Sequence, residues 1–319
     1  MLRSSIHKPA FVATTGGHLV QLSLMVPVLE PERHRDAVWI THRTPQSESL
    51  LRDQRYVVYV PAVEARDWKT VLRGSPVVLA ALRRHHVDRV YSTGAALALS
   101  ALPLAPLVGA RPTFVESLAR PDGPSVAGRV LARVPWVGCY TQYPENADDR
   151  WRYRYSLLDA FRVGADGADR MPEHIFVTLG TARPWQFRRL VDRLLQVIPP
   201  ECSVVWQTGC TDTTGLDLDA RPVMPDADFQ REIERADVVV SHAGVGTFLR
   251  CLGAGRVPVL VPRRLAFGEH VDDHQEQIAR VGSDRGLALM READALTFED
   301  LVLAGSRRAV RVGSAHVES

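Results

Sequence analysis

Short apolar, β-branched runs alternate with amphipathic helical stretches along this chain, and the pattern starts twice. In the first half the strand-like runs are 10–14, 37–41, 56–60, 89–92, 112–116 and 136–141, with helical periodicity between them, as over 68–84. Residues 161–172, FRVGADGADRMP, lapse into Gly, Asp and Pro and read as a linker. The runs then resume at 174–178, 203–207, 237–241, 257–261 and 286–290. Between the first two, Phe187, Leu190, Val191, Leu194, Leu195 and Ile198 make one apolar stripe at helical spacing. Strands separated by helices can bury both faces only as parallel sheets covered on each side. The expectation is an α/β fold of two Rossmann-like domains, 1–160 and 173–319, joined by 161–172. Ligands of such sheets bind at the carboxyl ends of the strands, here facing a cleft between the domains.

Length and composition support this. The 319 residues are too many for one ordinary domain and enough for two cores. Hydrophobic residues make up 45% and charged residues 24%, a globular balance. Net charge is only +2 but uneven. Residues 1–160 carry 20 Arg and Lys against 14 Asp and Glu, and 161–319 carry 19 against 23. A mildly basic first half suits an anionic membrane surface or a phosphate-bearing acceptor. Basic runs with interleaved aromatics are missing, so nucleic acid is not an expected partner. Only Lys8 and Lys69 are lysines, a bias better explained by a GC-rich coding sequence than by phosphate binding. Cys139, Cys202, Cys210 and Cys251 are scattered and read as buried thiols of a reduced, cytoplasmic protein. The N-terminus lacks a signal-peptide core. The segment 94–110, GAALALSALPLAPLVGA, is short and broken by Pro103 and Pro106, so it reads as a helix in the core or against a membrane.

The chemistry-bearing residues follow strands. After the first run comes Thr14-Thr15-Gly16-Gly17-His18. Gly16 and Gly17 let the backbone turn tightly and approach a ligand, the helix start offers open N–H groups, and His18 projects from the first turn. Gly180 and Thr181 repeat the device after 174–178. Ser241, His242, Gly244, Gly246 and Thr247 form a strand-to-helix turn suited to a diphosphate, because open N–H groups and the helix dipole both favour negative charge. Further on lie Arg263, then Glu269, His270, Asp273, His274 and Gln275. His270 and His274 have i,i+4 metal-ligand spacing, yet no third ligand is evident and Gln275 extends the pattern towards hydrogen bonding, so no metal is expected. The DxD-like pairs Asp217/Asp219 and Asp226/Asp228 sit in a Pro/Asp/Gly-rich stretch and read as acidic loop residues.

Taken in order, these motifs carry a resemblance. The second half, with SHAGVGT, the run from Leu252 through Pro262-Arg263-Arg264, and EHVDDHQ, is similar to the donor-binding subunit of the eukaryotic two-subunit UDP-GlcNAc transferase acting on dolichol-linked GlcNAc. The first half resembles that enzyme's membrane-recruiting partner subunit at TGGHL, Ser92-Thr93-Gly94-Ala95, Glu116-Ser117-Leu118-Ala119-Arg120, Ser125 with Gly128-Arg129-Val130-Leu131, and Thr141-Gln142-Tyr143-Pro144-Glu145. The chain therefore resembles a fusion of the two, as in bacterial exopolysaccharide glycosyltransferases of the GT-B superfamily. A more distant similarity runs through TGGH to the peptidoglycan GlcNAc transferase that makes lipid II.

The resemblance implies an inverting, metal-independent hexosyltransferase without a cofactor. It implies a UDP-sugar donor (GlcNAc, glucuronic acid, galactose or glucose), a polyprenyl-diphosphate-linked acceptor, and a peripheral place at the inner face of the cell membrane. His18 is the expected base and Glu116 its rival. Gly16, Gly17, Gly180, Thr181, Ser241, His242, Gly244, Gly246, Thr247, Arg263, Glu269, His270, Asp273, His274 and Gln275 are the expected donor contacts. One position departs from the family: a ribose-binding Glu is usual four residues after Gly246, and Arg250 stands there. A soluble natural-product glycosyltransferase, a nucleotide-sugar epimerase and a non-catalytic donor-binding subunit are the alternatives.

Overall fold

The computed structural model describes residues 7–61, 68–165, 171–271 and 273–312. They form two compact units divided between Leu157 and Leu158.

The first unit is a seven-stranded sheet of β1 (Lys8–Val12), β2 (Val38–His42), β3 (Tyr56–Val60), β4 (Val87–Ser92), β5 (Arg111–Val115), β6 (Gly138–Thr141) and β7 (Trp151–Tyr153). Its order is β3-β2-β1-β4-β5-β6-β7, and every pairing is parallel. Alternate side chains of each strand enter two different cores. Phe11, Trp39 and Tyr91 pack with Leu19, Leu22 and Val26 of the helix Gly17–Leu29. Ala10, Val12, Val38, Ile40 and Val90 pack with Val78 and Leu82 of Trp68–Arg84 and with Leu97 and Ala101 of Ala96–Ala101. Burial on both faces is why these strands read as continuous apolar runs.

The segment 94–110 belongs to that second core. It is a short α-helix, Ala96–Ala101, followed by a 3₁₀ stretch, Leu102–Val108. Pro103 and Pro106 lack the N–H groups that an α-helix would use there, which favours the tighter turn. Ala98, Ala101, Leu102 and Ala105 are buried, and only its end emerges, with Leu107 64% exposed. Among the described residues no helix is long and apolar enough to cross a membrane.

The second unit has a six-stranded parallel sheet of β9 (His174–Thr178), β10 (Ser203–Gln207), β11 (Ala220–Arg221), β12 (Val238–Ser241), β13 (Val259–Leu260) and β14 (Leu289–Met290), ordered β11-β10-β9-β12-β13-β14. The expected apolar stripe is the helix Arg188–Val197, which buries Leu190, Val191 and Leu194. Beside the sheet lies a two-stranded antiparallel ribbon, β8 (Phe161–Ala165) with β15 (Arg307–Arg311). This corrects the expected linker: its first five residues are a strand of the second unit. The local Gly and Asp signals concealed it because its partner is about 145 residues away, a pairing that local composition does not encode. Residues 166–170 lie outside the described residues.

Both sheets follow one plan. The first strand sits in the middle, the next two add on one side, and the fourth returns to the other side. The order reverses between β1 and β4, and again between β9 and β12. Ligands settle beyond the carboxyl ends of strands at such a switch point.

Candidate functional site

At the first switch point, β1 leads into Gly16, which caps the helix Gly17–Leu29 with φ 91° and no side chain. That conformation is cheap only for glycine. The Gly16 N–H donates to Gln46 Oε1 at 2.6 Å. His18, one residue into the helix, is tied to the end of β4 twice. Its Nδ1 lies 2.9 Å from the Thr93 carbonyl, and Thr93 Oγ1 donates to the His18 carbonyl at 2.9 Å. A carbonyl only accepts, so Nδ1 carries a proton, and whenever the ring is neutral its lone pair is on Nε2. Gly94 makes room for this: a Cβ there would stand 3.0 Å from His18 Cε1. The next residue, Ala95, is held at φ 58°, strained for a residue with a side chain.

Beneath His18 runs a buried polar network that sequence patterning does not reveal. Gln21, fully buried, donates to Ser117 Oγ at 3.0 Å and accepts from the Leu118 N–H at 2.9 Å. Gln142, also fully buried, donates to the Glu116 carbonyl at 3.0 Å. The Glu116 carboxylate accepts from Ser117 N at 3.0 Å, Ser125 N at 2.9 Å and Ser125 Oγ at 3.0 Å. Burial raises its pKa above the ordinary carboxylate range, against those hydrogen bonds and the charge of Arg120. Glu116 thus anchors the start of the helix Val126–Leu131, where Ser125 is the N-cap. The residues that carry the first-half resemblance converge here. The sequence-level clue to Gln21 is an amide inside the otherwise apolar run LVQLSLMV.

The second switch point repeats the arrangement. The His242 ring is enclosed between two glycines: a Cβ on Gly180 would stand 2.6 Å from its Nε2, and one on Gly244 2.5 Å. Its Nδ1 faces the Thr178 carbonyl at 3.4 Å. Enclosure, followed by the charge of Arg263, pushes the imidazole pKa down to about 3, so it is neutral at physiological pH. Ala243 is held at φ 59°, matching Ala95 in the first unit. Gly244 then caps the helix Val245–Gly253 without a side chain, leaving the N–H groups around Gly246 and Thr247 as open donors. Ser241 is fully buried, with its Oγ unpartnered. Thr181 is exposed beside Gly180.

Arg263 is 1% exposed. Its Nη2 donates to the Leu179 carbonyl and its N–H to Gln275 Oε1 at 3.1 Å, while Nε and Nη1 have no protein partner. Burial lowers its pKa to about 10, which leaves it charged at neutral pH. Glu269 turns inward, accepting from Arg189 Nε and Nη2, each at 3.1 Å, and from the Arg264 N–H at 3.0 Å. Asp273 Oδ1 accepts from the Leu265 N–H at 2.9 Å. Glu269, Asp273 and Gln275 therefore shape the loop after β13. The His270 and His274 rings meet edge-on at 4.8 Å, and Trp185 stacks on His270 at 5.8 Å. Asp272 lies outside the described residues. Arg250, where the family's Glu was expected, pairs with Asp226 and lies 5.5 Å over the Phe229 ring. Asp219 and Asp228 pair with Arg221 and Arg231.

Residues 174–304 match the glycosyltransferase family 28 C-terminal domain. Among curated proteins no sequence matches the chain. Solved structures share the fold. MurG of Acinetobacter baumannii aligns with TM-score 0.57 at 21% identity, over 93% of this chain and 89% of that one. CalG4, the calicheamicin glycosyltransferase, aligns with TM-score 0.54 at 16% identity, over 93% and 88%. SsfS6 of Streptomyces sp. SF2575, complexed with thymidine diphosphate, aligns with TM-score 0.52 at 18% identity, over 94% and 90%. The fold is GT-B, two Rossmann-like domains, and the family match bears out the expectation of a glycosyltransferase.

The enclosure of His242 generates two predictions. Gly244→Ala should weaken nucleotide-sugar binding by about tenfold or more in calorimetry. Gly253→Ala, on the same helix with nothing within 4 Å of a new Cβ, should leave it unchanged; equal effects would contradict the account. In the unfolded chain His242 takes up a proton near its ordinary 6.5, whereas in the folded chain it waits until about 3. The unfolded state then binds more protons, so His242 removes stability as pH falls below about 6.5. Urea unfolding of His242→Gln between about pH 4.5 and 7 should show a slope shallower by about one proton.

Proposed function

We propose that this chain is an inverting, metal-independent glycosyltransferase that moves a sugar from a UDP-sugar to a polyprenyl-diphosphate-linked saccharide during cell-surface polysaccharide synthesis. The observation that carries the reading is the 2.9 Å approach of His18 Nδ1 to the Thr93 carbonyl. With Nδ1 donating to Thr93, Nε2 is the nitrogen able to take a proton from an acceptor hydroxyl. The acceptor oxygen bonds to the anomeric carbon as the bond to the diphosphate oxygen breaks, the proton passes to Nε2, and UDP leaves. A single displacement of this kind inverts the anomeric centre.

The donor is assigned to the second unit. The open N–H groups at 244–247 and the two unfilled donors of Arg263 suit the charge that develops on a departing diphosphate. Gly180 and Thr181 would border it, with His270 and His274 towards the sugar. GlcNAc, glucuronic acid, galactose and glucose are the candidate sugars. Uridine comes from the family resemblance; thymidine diphosphate in SsfS6 supports a pyrimidine nucleotide more broadly. Glu116 is a positioning residue in this reading, because both its oxygens are engaged in holding Ser117 and Ser125.

A lipid-linked acceptor is supported by one surface of the first unit. Leu107, Val126, Val130 and Trp136 are exposed there among Arg129 and Arg133, and the Trp136 indole donates to the Pro103 carbonyl at 3.1 Å. Apolar tips among arginines suit the boundary of an anionic bilayer, which supports a peripheral place at the cytoplasmic membrane face.

His18→Ala should lower transfer by about 10²–10⁴-fold while calorimetric donor binding persists; near-normal turnover would refute the assigned base. Wild-type protein should float with vesicles containing anionic lipid, and the Leu107→Glu, Trp136→Glu double variant should not. Equal behaviour of the two, with transfer to a soluble aglycone, would favour the natural-product alternative.

A further inference from the structure

Trp185 lies in the loop after β9 and has no part in the reading above. Three contacts fix this loop against the segment after β10. The Cys210 thiol donates to the Trp185 carbonyl at 3.1 Å, the Asp212 N–H to Gln186 Oε1 at 3.1 Å, and the Phe187 N–H to Thr211 Oγ1 at 3.1 Å. The indole is thus presented on a braced loop, half-buried, with one part of its surface open. Its ring lies 5.8 Å from His270 with the planes 29° apart, and His270 meets His274 at 75°. His270 and His274 are both close enough to His242 to act on its ionisation. The three aromatic groups therefore form a ledge beside the turn where a diphosphate would sit.

We infer that Trp185 stacks against the C–H face of the transferred sugar, with His270 and His274 at its rim, making Trp185 a donor-specificity residue. This rests on the donor-site reading proposed above. A pyranose ring presents an apolar face and a rim of hydroxyls, so it is recognised by a flat aromatic surface edged with groups that both donate and accept. The ledge has that composition: an indole face for the ring, and at its edge imidazoles, whose ring nitrogens donate or accept hydrogen bonds, His270 Nδ1 itself being buried. Its parts come from the loops after β9 and β13, the two strands that flank β12. Arg250, Asp226 and Phe229 contact one another on the helices before and after β12.

The test is calorimetric binding of UDP, UDP-GlcNAc, UDP-glucose, UDP-galactose and UDP-glucuronic acid to wild type, Trp185→Ala and Trp185→Phe. Wild type should bind at least one UDP-sugar more tightly than UDP. Trp185→Ala should lose about five- to tenfold in affinity for that UDP-sugar with UDP unchanged, and Trp185→Phe should recover most of the loss. Urea unfolding checks that each variant is folded, and the phenylalanine variant keeps the test informative if the alanine variant is not. An equal loss for UDP and the UDP-sugar assigns the ring to the nucleotide and overturns the inference. So does unchanged binding, or a wild type that binds UDP and every UDP-sugar alike. A wild type that binds neither UDP nor any UDP-sugar overturns the donor reading itself.

Discussion

An imidazole resting against glycine backbone, once in each unit, is the contact on which the rest of this structure depends. His18 is pressed against Gly94 and bonded to Thr93 across the β1/β4 switch point. His242 is enclosed by Gly180 and Gly244 and faces Thr178 across the β9/β12 switch point. In both cases the ring lies at the carboxyl ends of two neighbouring strands, where the sheet order reverses. In both, the neighbouring alanine, Ala95 or Ala243, is forced into a left-handed conformation that the surrounding packing must maintain. The same device gives opposite chemistry. His18 is orientated with Nε2 as its accepting nitrogen, whereas His242 is enclosed until its pKa falls to about 3 and cannot serve as a base that later carries a proton at neutral pH.

The polar residues around these rings divide into those that hold and those positioned to act. Gln21, Gln142 and Glu116 knit the loops after β5 and β6 to the helix that carries His18. Glu269 with Arg189, and Gln275 with Arg263, do the same for the loop after β13. Leaving any of these buried groups unpaired would cost about 1–3 kcal/mol. Arg263 is the exception, a buried cation with two donors unfilled. That residual capacity is the electrostatic argument for a bound anion.

Much of the fold was legible in sequence because it is written in local pattern. The long parallel strands and the helix Arg188–Val197 fall within two or three residues of their apolar runs, since burial on both faces makes each run unambiguous. What escaped depends on distant partners. β7 and β11 are short edge strands, and β8 exists only through its pairing with β15. The stretch 94–110 read as a helix in the core or against a membrane, and most of it is core. At the candidate site, glycine turns marked the strand ends at the two switch points, because a close backbone approach needs glycine. They did not reveal that Glu269 turns inward to Arg189, that Arg250 would find Asp226, or that Trp185 would lie on His270. Those depend on side chains brought together by the sheet order, which spacing along the chain does not encode.

The most direct test of the account is the protonation pattern of His18. Nitrogen-15 NMR of histidine-labelled protein near pH 7, with the resonances assigned by their loss in His18→Gln, distinguishes a protonated from an unprotonated ring nitrogen. The account predicts a neutral ring with its proton on Nδ1 and none on Nε2. A proton on Nε2 would contradict it, because no lone pair would then be available to accept the hydroxyl proton.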